Sequence, residues 1–265
     1  MNNLQLEIKN SSSYHHGFND ALALTNRNLI KMWKSPEKLM DVFIMPIFFM
    51  LIFSYLFGGA ISGSTKAYLP LVLPGIMIQT LLSISSGTGA SIREDINKGV
   101  FDRFKSLPIL RLSPLIGSLI ADLVRYTVAT SVTLLVGYII GWRPTVGFQW
   151  VLLAMLFGIG FSWAISWIFV FWGLLAKSAE AVNGISVMIM LGLSFLSNAF
   201  VPTSSLPKIL QTFVRINPVT HVISALRELL LHGQFGNETL ISIIMAAAIV
   251  IIFVPLTLWA YNKKI

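Results

Sequence analysis

Long apolar stretches separated by short polar segments run through most of the sequence. A helix needs about 20 mostly apolar residues to cross the hydrocarbon core of a bilayer. Stretches of that length and character occupy residues 39–60, 68–90, 113–141, 149–176, 181–201 and 239–261. The pattern therefore predicts an all-α membrane protein in which residues 1–265 form one transmembrane domain with six transmembrane helices.

The segment ahead of the first span, residues 18–38, is amphipathic. Its basic residues recur at helical spacings on one face, whereas apolar residues lie toward another face. The basic set is Arg27, Lys31, Lys34 and Lys38. We predict an interfacial helix along the cytoplasmic leaflet, with its cations toward lipid headgroups and its end at Ser35-Pro36. This helix either anchors the N-terminus alone or links a cytoplasmic partner to the first span.

The polar segment after the second span, residues 93–108, mixes charges of both signs with aromatic residues. Gly99 suits a helix end or hinge, and Pro108 ends the helix that follows. Exposed aromatic side chains among charges suit docking into a groove of another protein, and the alternative is an amphipathic loop on the membrane. The candidate docking residues are Arg93, Glu94, Asp95, Lys98, Gly99, Phe101, Asp102, Arg103, Phe104 and Pro108.

Residues 202–232, before the last span, contain two predicted helices that are too short to span and too apolar to float in water. The first begins near Pro207, and Asn217-Pro218 starts the second. Such helices can dip into the outer leaflet only where they pack on protein or line a cavity. We predict a re-entrant pair that forms an outer gate, or else a lid that simply covers the spans. The gate residues are Phe200, Pro202, Leu206, Pro207, Asn217, Pro218 and His221.

Charge changes the picture in two ways. Only 11% of residues are charged, against about 25% in a soluble domain, which agrees with a membrane protein. With six spans, 13 Lys and Arg residues fall on the side of the N-terminus and five on the other side. Because Lys and Arg stay in the cytoplasm, both termini are predicted to be cytoplasmic. The net charge of +8 then indicates contact with anionic lipid and no nucleic-acid partner.

Two groups of residues within the spans carry candidate chemistry. Asp122 and Arg125 lie within an apolar run, where an unpaired charge costs about 2.5–3.5 kcal/mol. Their spacing allows an ion pair on one helix face, which either clamps the helix or also transmits motion. A tentative substrate path combines aromatic residues that would stack on flat substrates with polar residues of the fifth span, and lipid contact is the alternative for the aromatics. The path residues are Phe49, Phe53, Asn183, Ser194 and Asn198.

Two runs of the sequence resemble one known family. Residues 93–125 contain an acidic stretch, Gly99, Asp-Arg-Phe, Leu-Pro and Ala-Asp-Leu-x-Arg, and they look like the coupling region and third span of ABC-2 type permeases. The daunorubicin/doxorubicin-resistance (multidrug export) branch is the most similar. The run from Asn198 through Asn217-Pro218 to Ala225-Leu-Arg resembles the outer re-entrant segment of the same family.

This resemblance implies a homodimeric or paired permease that exports an amphipathic drug, a lipid-linked compound or similar cargo across the cell membrane. Two soluble ATPase subunits would bind on the cytoplasmic face, with ATP and Mg²⁺ on those partners. Residues 93–108 would be the coupling helix, shaped by Glu94, Asp95, Gly99, Phe101, Asp102, Arg103 and Pro108. The sequence contains no Gly-Lys-Ser/Thr phosphate-loop string, so energy must come from another subunit or from an ion gradient.

Two other functional classes stay open. An ion-coupled secondary transporter needs ionisable relays at membrane depth and internal symmetry, whereas the sequence offers one such pair and no repeat. An intramembrane enzyme needs a nucleophile with its base, a carboxylate dyad or a metal set. His221 and His232 are expected to be solvated or capping residues, no His-Glu-x-x-His motif occurs, and no metal site or catalytic residue is predicted.

Overall fold

The computed structural model describes residues 20, 22–105, 112–201, 203 and 207–264. All regular secondary structure in this part is helical, as predicted. Helix α1 comprises residues 22–33, and it is followed by α2 (Pro36–Ser62), α3 (Thr65–Asn97), α4 (Val100–Lys105) and α5 (Ser113–Ile140). The second half contains α6 (Phe148–Leu175), α7 (Ala179–Phe195), α8 (Lys208–Ile216), α9 (Pro218–Arg227) and α10 (Asn237–Lys264). The predicted site residues Pro108, Pro202 and Leu206 lie outside the described residues.

Five of the described helices, α2, α3, α5, α6 and α10, are long and apolar enough to cross a membrane. Helix α7 is apolar but has only 17 residues, somewhat fewer than the about 20 that a crossing needs. The rest of the predicted stretch 181–201 continues as turns and bends after Phe195. The described residues therefore contain five candidate spans, and a count of six stays a prediction.

Helix α2 is irregular, because π-helical turns interrupt it at Met40–Ile44 and Phe53–Phe57. Such turns are frequent at functional sites and change the direction in which the following side chains leave the helix. The helix starts at Pro36, directly after the predicted break at Ser35, since proline fits the first turn of a helix. It ends at Gly63, whose φ of 73° is the left-handed conformation that glycine adopts without strain.

Helix α3 lies at the centre of the molecule. Within its most apolar window 78% of residues are buried, against 11% for α10. A helix that is buried on all sides must be packed by other helices, whereas α10 keeps most of its surface for lipid. Helices α2, α5, α6, α7 and α9 all pack against α3, so its two ends become the places where the other elements meet.

Glycine residues set how closely the neighbours approach α3. A Cβ on Gly89 would collide with the Phe169 carbonyl of α6, and one on Gly173 of α6 would collide with the Gly89 backbone. Gly75, nearer the start of α3, meets the Ala199 backbone in the same way. Small residues at a crossing let two backbones come together, which is how helices gain packing energy in a membrane.

Side-chain contacts between loops and helix ends define two opposite ends of the bundle. At one end, named here the basic end, the contacts are Arg27 with Asp95, Asn28 with Ser118, Arg93 with the Lys177 carbonyl, and Phe101 with Tyr261. At the opposite end they are Tyr68 with the Phe200 carbonyl, Arg227 with the Leu71 and Asn198 carbonyls, and Thr145 with the Leu231 carbonyl. The loops predicted to be cytoplasmic thus meet at one end, and those predicted to be outside meet at the other.

The α3–α6 crossing yields a direct test with a control on the same helix. We expect Gly89→Ala to lower the free energy of unfolding by about 1–3 kcal/mol, because overpacking forces two backbones apart. Gly87→Ala should be neutral or slightly stabilising, because no atom lies within 4 Å of the added Cβ and alanine favours helix. Thermal unfolding in detergent measures both variants. Equal melting temperatures for the two would contradict the close crossing.

Candidate coupling, charge and gate sites

The predicted coupling segment is a helix, a tight turn and a second helix. Helix α3 continues to Asn97, the turn passes through Lys98 and Gly99, and α4 starts at Val100. Gly99 has a φ of 67°, so it ends α3 in the left-handed conformation, as its predicted role as a helix end requires. Arg93, Glu94 and Asp95 therefore belong to the last turns of α3 and not to a separate loop helix.

A local ion pair supports this end of α3. Lys98 donates to the Glu94 carboxylate, four residues earlier on the same face. Such pairs stabilise a helix end slightly when both partners are exposed. The hydrogen bond to Glu94 also raises the pKa of the exposed Lys98 ammonium.

Phe101 corrects one expectation from the sequence. We expected an exposed aromatic residue, but Phe101 is only 5% exposed. Its ring lies edge-on to Tyr261 of α10, with ring centroids 6.0 Å apart, in a cluster with Ile92, Leu115 and Leu119. Phe101 is buried because it packs against apolar residues at the ends of α3, α5 and α10 within the same chain. Phe101 thus anchors α4 to the membrane helices.

The outer face of α4 carries the charged residues. Asp102 and Arg103 are both exposed, and Gly99 positions them at the end of the bundle. The side chain of Phe104 and all of Pro108 lie outside the described residues. A partner protein would therefore reach Asp102 and Arg103 directly and Phe101 only through the helix.

A cluster of ion pairs joins α1 to this segment, and we name it the charge clamp: Arg27, Lys31, Glu94 and Asp95. Lys31 Nζ is 2.8 Å from Asp95 Oδ1, and Arg27 Nη1 is 3.3 Å from Asp95 Oδ2. Lys31 also lies 3.8 Å from Glu94 Oε2. One face of α1 thus contacts α3, whereas Ile30 and Trp33 on the other face are exposed and available to lipid.

The charge clamp corrects the prediction for the basic face of α1. We expected its cations to face lipid headgroups, but Arg27 and Lys31 pair with α3, and Lys38 Nζ donates to Ser91 Oγ at 3.0 Å. Only Lys34 of the four is exposed. The adjacent acids Glu94 and Asp95 indicated that cations would pair with this end of α3. Only the fold shows that these cations come from α1.

Asp122 and Arg125 are buried together within α5, with 2% and 6% of their surfaces exposed. Arg125 Nη1 lies 2.8 Å from Asp122 Oδ1, and Thr88 of α3 donates to Asp122 Oδ2 at 2.5 Å. Arg125 Nε has no hydrogen-bond partner within the described part of the chain. The pair shares a small cleft with Lys38 and Ser91, so it connects α2, α3 and α5 just below the charge clamp.

Asn217 organises the start of the predicted gate. Its side-chain oxygen accepts from the Val219 backbone N–H, which caps α9 at Pro218 as the sequence predicted. Its amide donates to the Leu193 and Leu196 carbonyls at 2.8 and 2.6 Å. These carbonyls belong to the end of α7, where helical partners run out. One side chain thus satisfies the ends of two helices.

Arg227 is a structural residue that the sequence analysis did not identify. Its guanidinium donates to the Leu71 carbonyl through Nε and Nη2, at 3.1 and 2.8 Å, and to the Asn198 carbonyl at 2.7 Å. Pro70 and Pro74 lie on either side of Leu71 in α3 and lack a backbone N–H. The sequence held no local signal for these contacts, because Leu71 and Asn198 lie far from Arg227 along the chain.

His221 is neither solvated nor a simple cap. Its Nδ1 lies 2.6 Å from Glu238 Oε2, and its Nε2 lies 2.9 Å from the Arg215 carbonyl. The ring therefore joins α8, α9 and α10. Glu238 also affects a second carboxyl group. Burial raises the pKa of the Glu228 carboxyl, and the charge of the Glu238 carboxylate raises it further.

The predicted substrate path is only partly brought together. Phe53 lies against Phe49 and stacks on Phe200 of the predicted gate, with centroids 6.2 and 4.2 Å away. Asn198 donates to Ser224 Oγ at 2.8 Å in the same region, and Ser194 is buried there. Asn183 is exposed near the start of α7, roughly 18 Å along the helix from Phe195 at 1.5 Å per residue, so it does not join them.

The buried ion pair predicts a pattern of stability changes. Asp122→Ala should cost about 3–5 kcal/mol, because it leaves the Arg125 charge buried without its partner. Replacing both residues by leucine should recover much of that loss. Ser131→Ala, at an exposed position of α5, is the control. Melting temperatures in one detergent compare the four proteins, and a stable Asp122→Ala variant would argue against the pair.

Arg227 predicts a local change at the opposite end. Arg227→Met should release the Leu71 and Asn198 carbonyls and raise backbone hydrogen exchange in residues 197–201 by roughly tenfold, the loss of about 1.4 kcal/mol of protection. Arg215→Met is the matched control, since its side chain is exposed. Mass-spectrometric hydrogen exchange measures both variants. Unchanged exchange in Arg227→Met would mean that these hydrogen bonds do not hold the segment.

Comparison with known proteins agrees with the resemblance seen in the sequence. The family model described as ABC-2 type transporter matches residues 19–231. The daunorubicin resistance ABC transporter permease protein DrrB1 of Streptomyces coeruleorubidus is 41% identical over 230 residues, covering 86% of this chain and 81% of the relative. A probable doxorubicin resistance ABC transporter permease protein, DrrC of Mycobacterium tuberculosis, is 25% identical over 243 residues, covering 89% and 86%. The chain belongs to the ABC-2 type transporter family, and the relatives named here are drug-resistance permeases.

Proposed function

We propose that this chain is the membrane permease of an ATP-driven exporter. The observation that carries the proposal is the anchoring of α4. Phe101 fixes α4 to α10, and the charge clamp fixes the adjoining end of α3 to α1. A force applied to the exposed face of α4 would therefore reach three membrane elements at once, which is what a coupling helix has to do.

The proposed orientation places the basic end in the cytoplasm. Lys and Arg concentrate on that side of membrane proteins, and cations of α1, α3, α4 and α10 meet at this end. They include Arg27, Lys31, Arg93, Lys98, Arg103 and Lys263. In this orientation α7 and the following turns form the sixth crossing. The Gly75 contact with Ala199 supports that crossing, because irregular backbone at membrane depth must pack on protein.

The proposed energy source is a separate soluble ATPase. The chain has no phosphate-loop string, so ATP and Mg²⁺ would bind to two ATPase copies that contact α4 of two permease copies. The permease copies would form a homodimer or a pair with a similar chain. Permeases named for daunorubicin and doxorubicin resistance match most of the chain, which favours an amphipathic drug as cargo over a lipid-linked compound.

The gate of the proposed exporter is the segment from Phe200 to His221 together with α9. Asn217, Arg227 and His221 hold this segment to α7, α3 and α10 through hydrogen bonds. Opening would require these contacts to change. Ion-coupled transport is less well supported, because Asp122 is held by both Arg125 and Thr88 and so is placed as a fixed pair rather than a proton carrier.

The coupling role of α4 has a sharp test. The chain is co-purified with the products of its neighbouring genes, and ATP hydrolysis by any soluble ATPase recovered with it is measured in lipid. Arg103→Glu should reduce recovery of the ATPase and its stimulated activity at least about tenfold, since reversing a charge at a docking surface costs several kcal/mol. Lys263→Glu, an exposed cation of α10 at the same end, should have little effect.

The outcome that would contradict the proposal is equally clear. A chain that binds no soluble ATPase, or a complex that Arg103→Glu leaves intact, would remove α4 as the coupling element. Transport by the solitary chain along a proton gradient would replace ATP-driven export by the ion-coupled alternative.

A further inference from the structure

One imidazole joins three helices at the opposite end of the bundle. His221 of α9 lies with its Nδ1 2.6 Å from Glu238 Oε2 of α10, and its Nε2 lies 2.9 Å from the Arg215 carbonyl of α8. We name this group the histidine latch: Arg215, His221 and Glu238. The proposed function uses the latch only as a contact of the gate and gives no role to its protons.

Both neighbours of the imidazole are hydrogen-bond acceptors. A backbone carbonyl and an ionised carboxylate can only accept, whereas a neutral imidazole carries a single N–H. A neutral His221 beside an ionised Glu238 would therefore donate to one neighbour and turn a lone pair toward the other. One additional proton on the pair removes this conflict. The pair is then either an imidazolium with a carboxylate, or a neutral imidazole that accepts from a protonated Glu238 and donates to the Arg215 carbonyl.

The imidazole is enclosed, but the latch still reaches the medium. The His221 side chain is 14% exposed, whereas that of Glu238 is 34% exposed. Water can therefore replace little of a hydrogen bond that the imidazole loses, and an acceptor left facing an acceptor in a partly buried place costs free energy. Protons can enter and leave through the exposed part of Glu238.

The turn between α9 and α10 brings two further titratable groups near the latch. The Glu228 carboxylate lies against the Gly236 backbone, where an added Cβ would collide with it, and its Oε2 has no hydrogen-bond partner in the described part of the chain. The charges of Glu238 and His232 both act on Glu228, and His232 is exposed. Glu228 and His232 are therefore the groups whose titration could imitate that of His221.

The helices packed against α9 bring no other competitor for this proton. Helix α6 contains no titratable side chain, and Glu180 of α7 lies at the far end of that helix. The Tyr68 hydroxyl of α3 and the Arg227 guanidinium of α9 each donate to backbone carbonyls of other segments. The charged side chains that remain at this end of the described chain are exposed cations: Lys66, Arg143, Lys208 and Arg215.

We propose that the histidine latch binds one proton that holds α8 and α9 to the start of α10, and that release of this proton loosens the gate. The latched arrangement holds one proton more than the loosened one, so it weakens as the pH rises. Histidine is the side chain that ordinarily changes charge between about pH 5 and 8. The proposal rests on the proposed function for its meaning, because the orientation proposed there makes the outer medium the one that sets the latch.

The test measures backbone hydrogen exchange of residues 208–216, which form α8, by mass spectrometry. The full chain is used in lipid nanodiscs without nucleotide or ATPase, and each rate is compared with the intrinsic exchange rate at the same pH. The resulting protection factor should fall by roughly 3- to 10-fold between about pH 5.5 and 8.5, the loss of about one hydrogen bond. Helix α6 is the internal reference. A protection factor of α8 that stays constant over this range would overturn the proposal.

Two substitutions separate the proton from the contact. Glu238→Gln supplies an amide N–H to Nδ1 while a neutral imidazole donates to the Arg215 carbonyl, so protection of α8 should stay high at every pH. His221→Phe keeps a ring but offers no donor, so protection should be low at every pH. A fall in protection with pH as large as that of the native chain, in either variant, would overturn the proposal.

Two further variants exclude the neighbouring groups. His232→Asn removes the exposed histidine and Glu228→Gln removes the second carboxylate, and both keep the latch, so both should keep the fall in protection with pH. If either variant abolishes that fall, the titrating group lies outside the latch and the proposal is wrong. The measurement needs no ATPase, so its failure leaves the export proposal standing. A normal pH profile in a chain that binds no ATPase would instead remove the export proposal and keep the latch.

Discussion

The packing of α3 against its neighbours is the interaction on which the rest of the structure depends. Gly89 and Gly173 let α3 and α6 meet backbone to backbone, and Gly75 does the same for the segment after α7. A helix enclosed in this way cannot satisfy charges or free carbonyls with water. Polar groups that the helix cannot satisfy itself need partners on other elements, and the partners of Asp95 and of the Leu71 carbonyl lie at the two functional ends of the molecule.

The two ends of α3 carry different chemistry for this reason. Its last turns bear acids, which α1 neutralises through the charge clamp, and near its start the Leu71 carbonyl accepts hydrogen bonds from Arg227. A helix of 33 residues is about 50 Å long at 1.5 Å per residue, so α3 alone connects α4 to the region of Phe200. In our proposal α3 transmits motion from the ATPase contact at α4 to the gate.

Much of this arrangement was readable from the sequence because it depends on local rules. The apolar stretches predicted the long helices, Ser35-Pro36 the start of α2, Gly99 the end of α3, and Asn217-Pro218 the start of α9. The spacing of Asp122 and Arg125 was enough to suggest their pair. Each of these features is decided by residues within a few positions of one another.

The features that the sequence did not reveal depend on distant partners. An aromatic residue among charges looks exposed, and only the position of Tyr261 shows why Phe101 is buried. The basic face of α1 suits lipid and acidic side chains equally well until α3 brings Asp95 beside it. His221 and Arg227 each bond to groups on other elements, and Phe53 stacks on Phe200 only because α2 and the segment after α7 meet.

Thiol labelling of the outer end during ATP turnover tests the central claim most directly. The chain contains no cysteine, so Phe195→Cys provides a single thiol at an exposed position beside Phe200 of the predicted gate. With the ATPase bound, the account predicts that ATP changes the rate at which a water-soluble maleimide labels this thiol, and that Arg103→Glu removes the change. A labelling rate that is the same with and without ATP in the intact complex would contradict transmission from α4 to the gate.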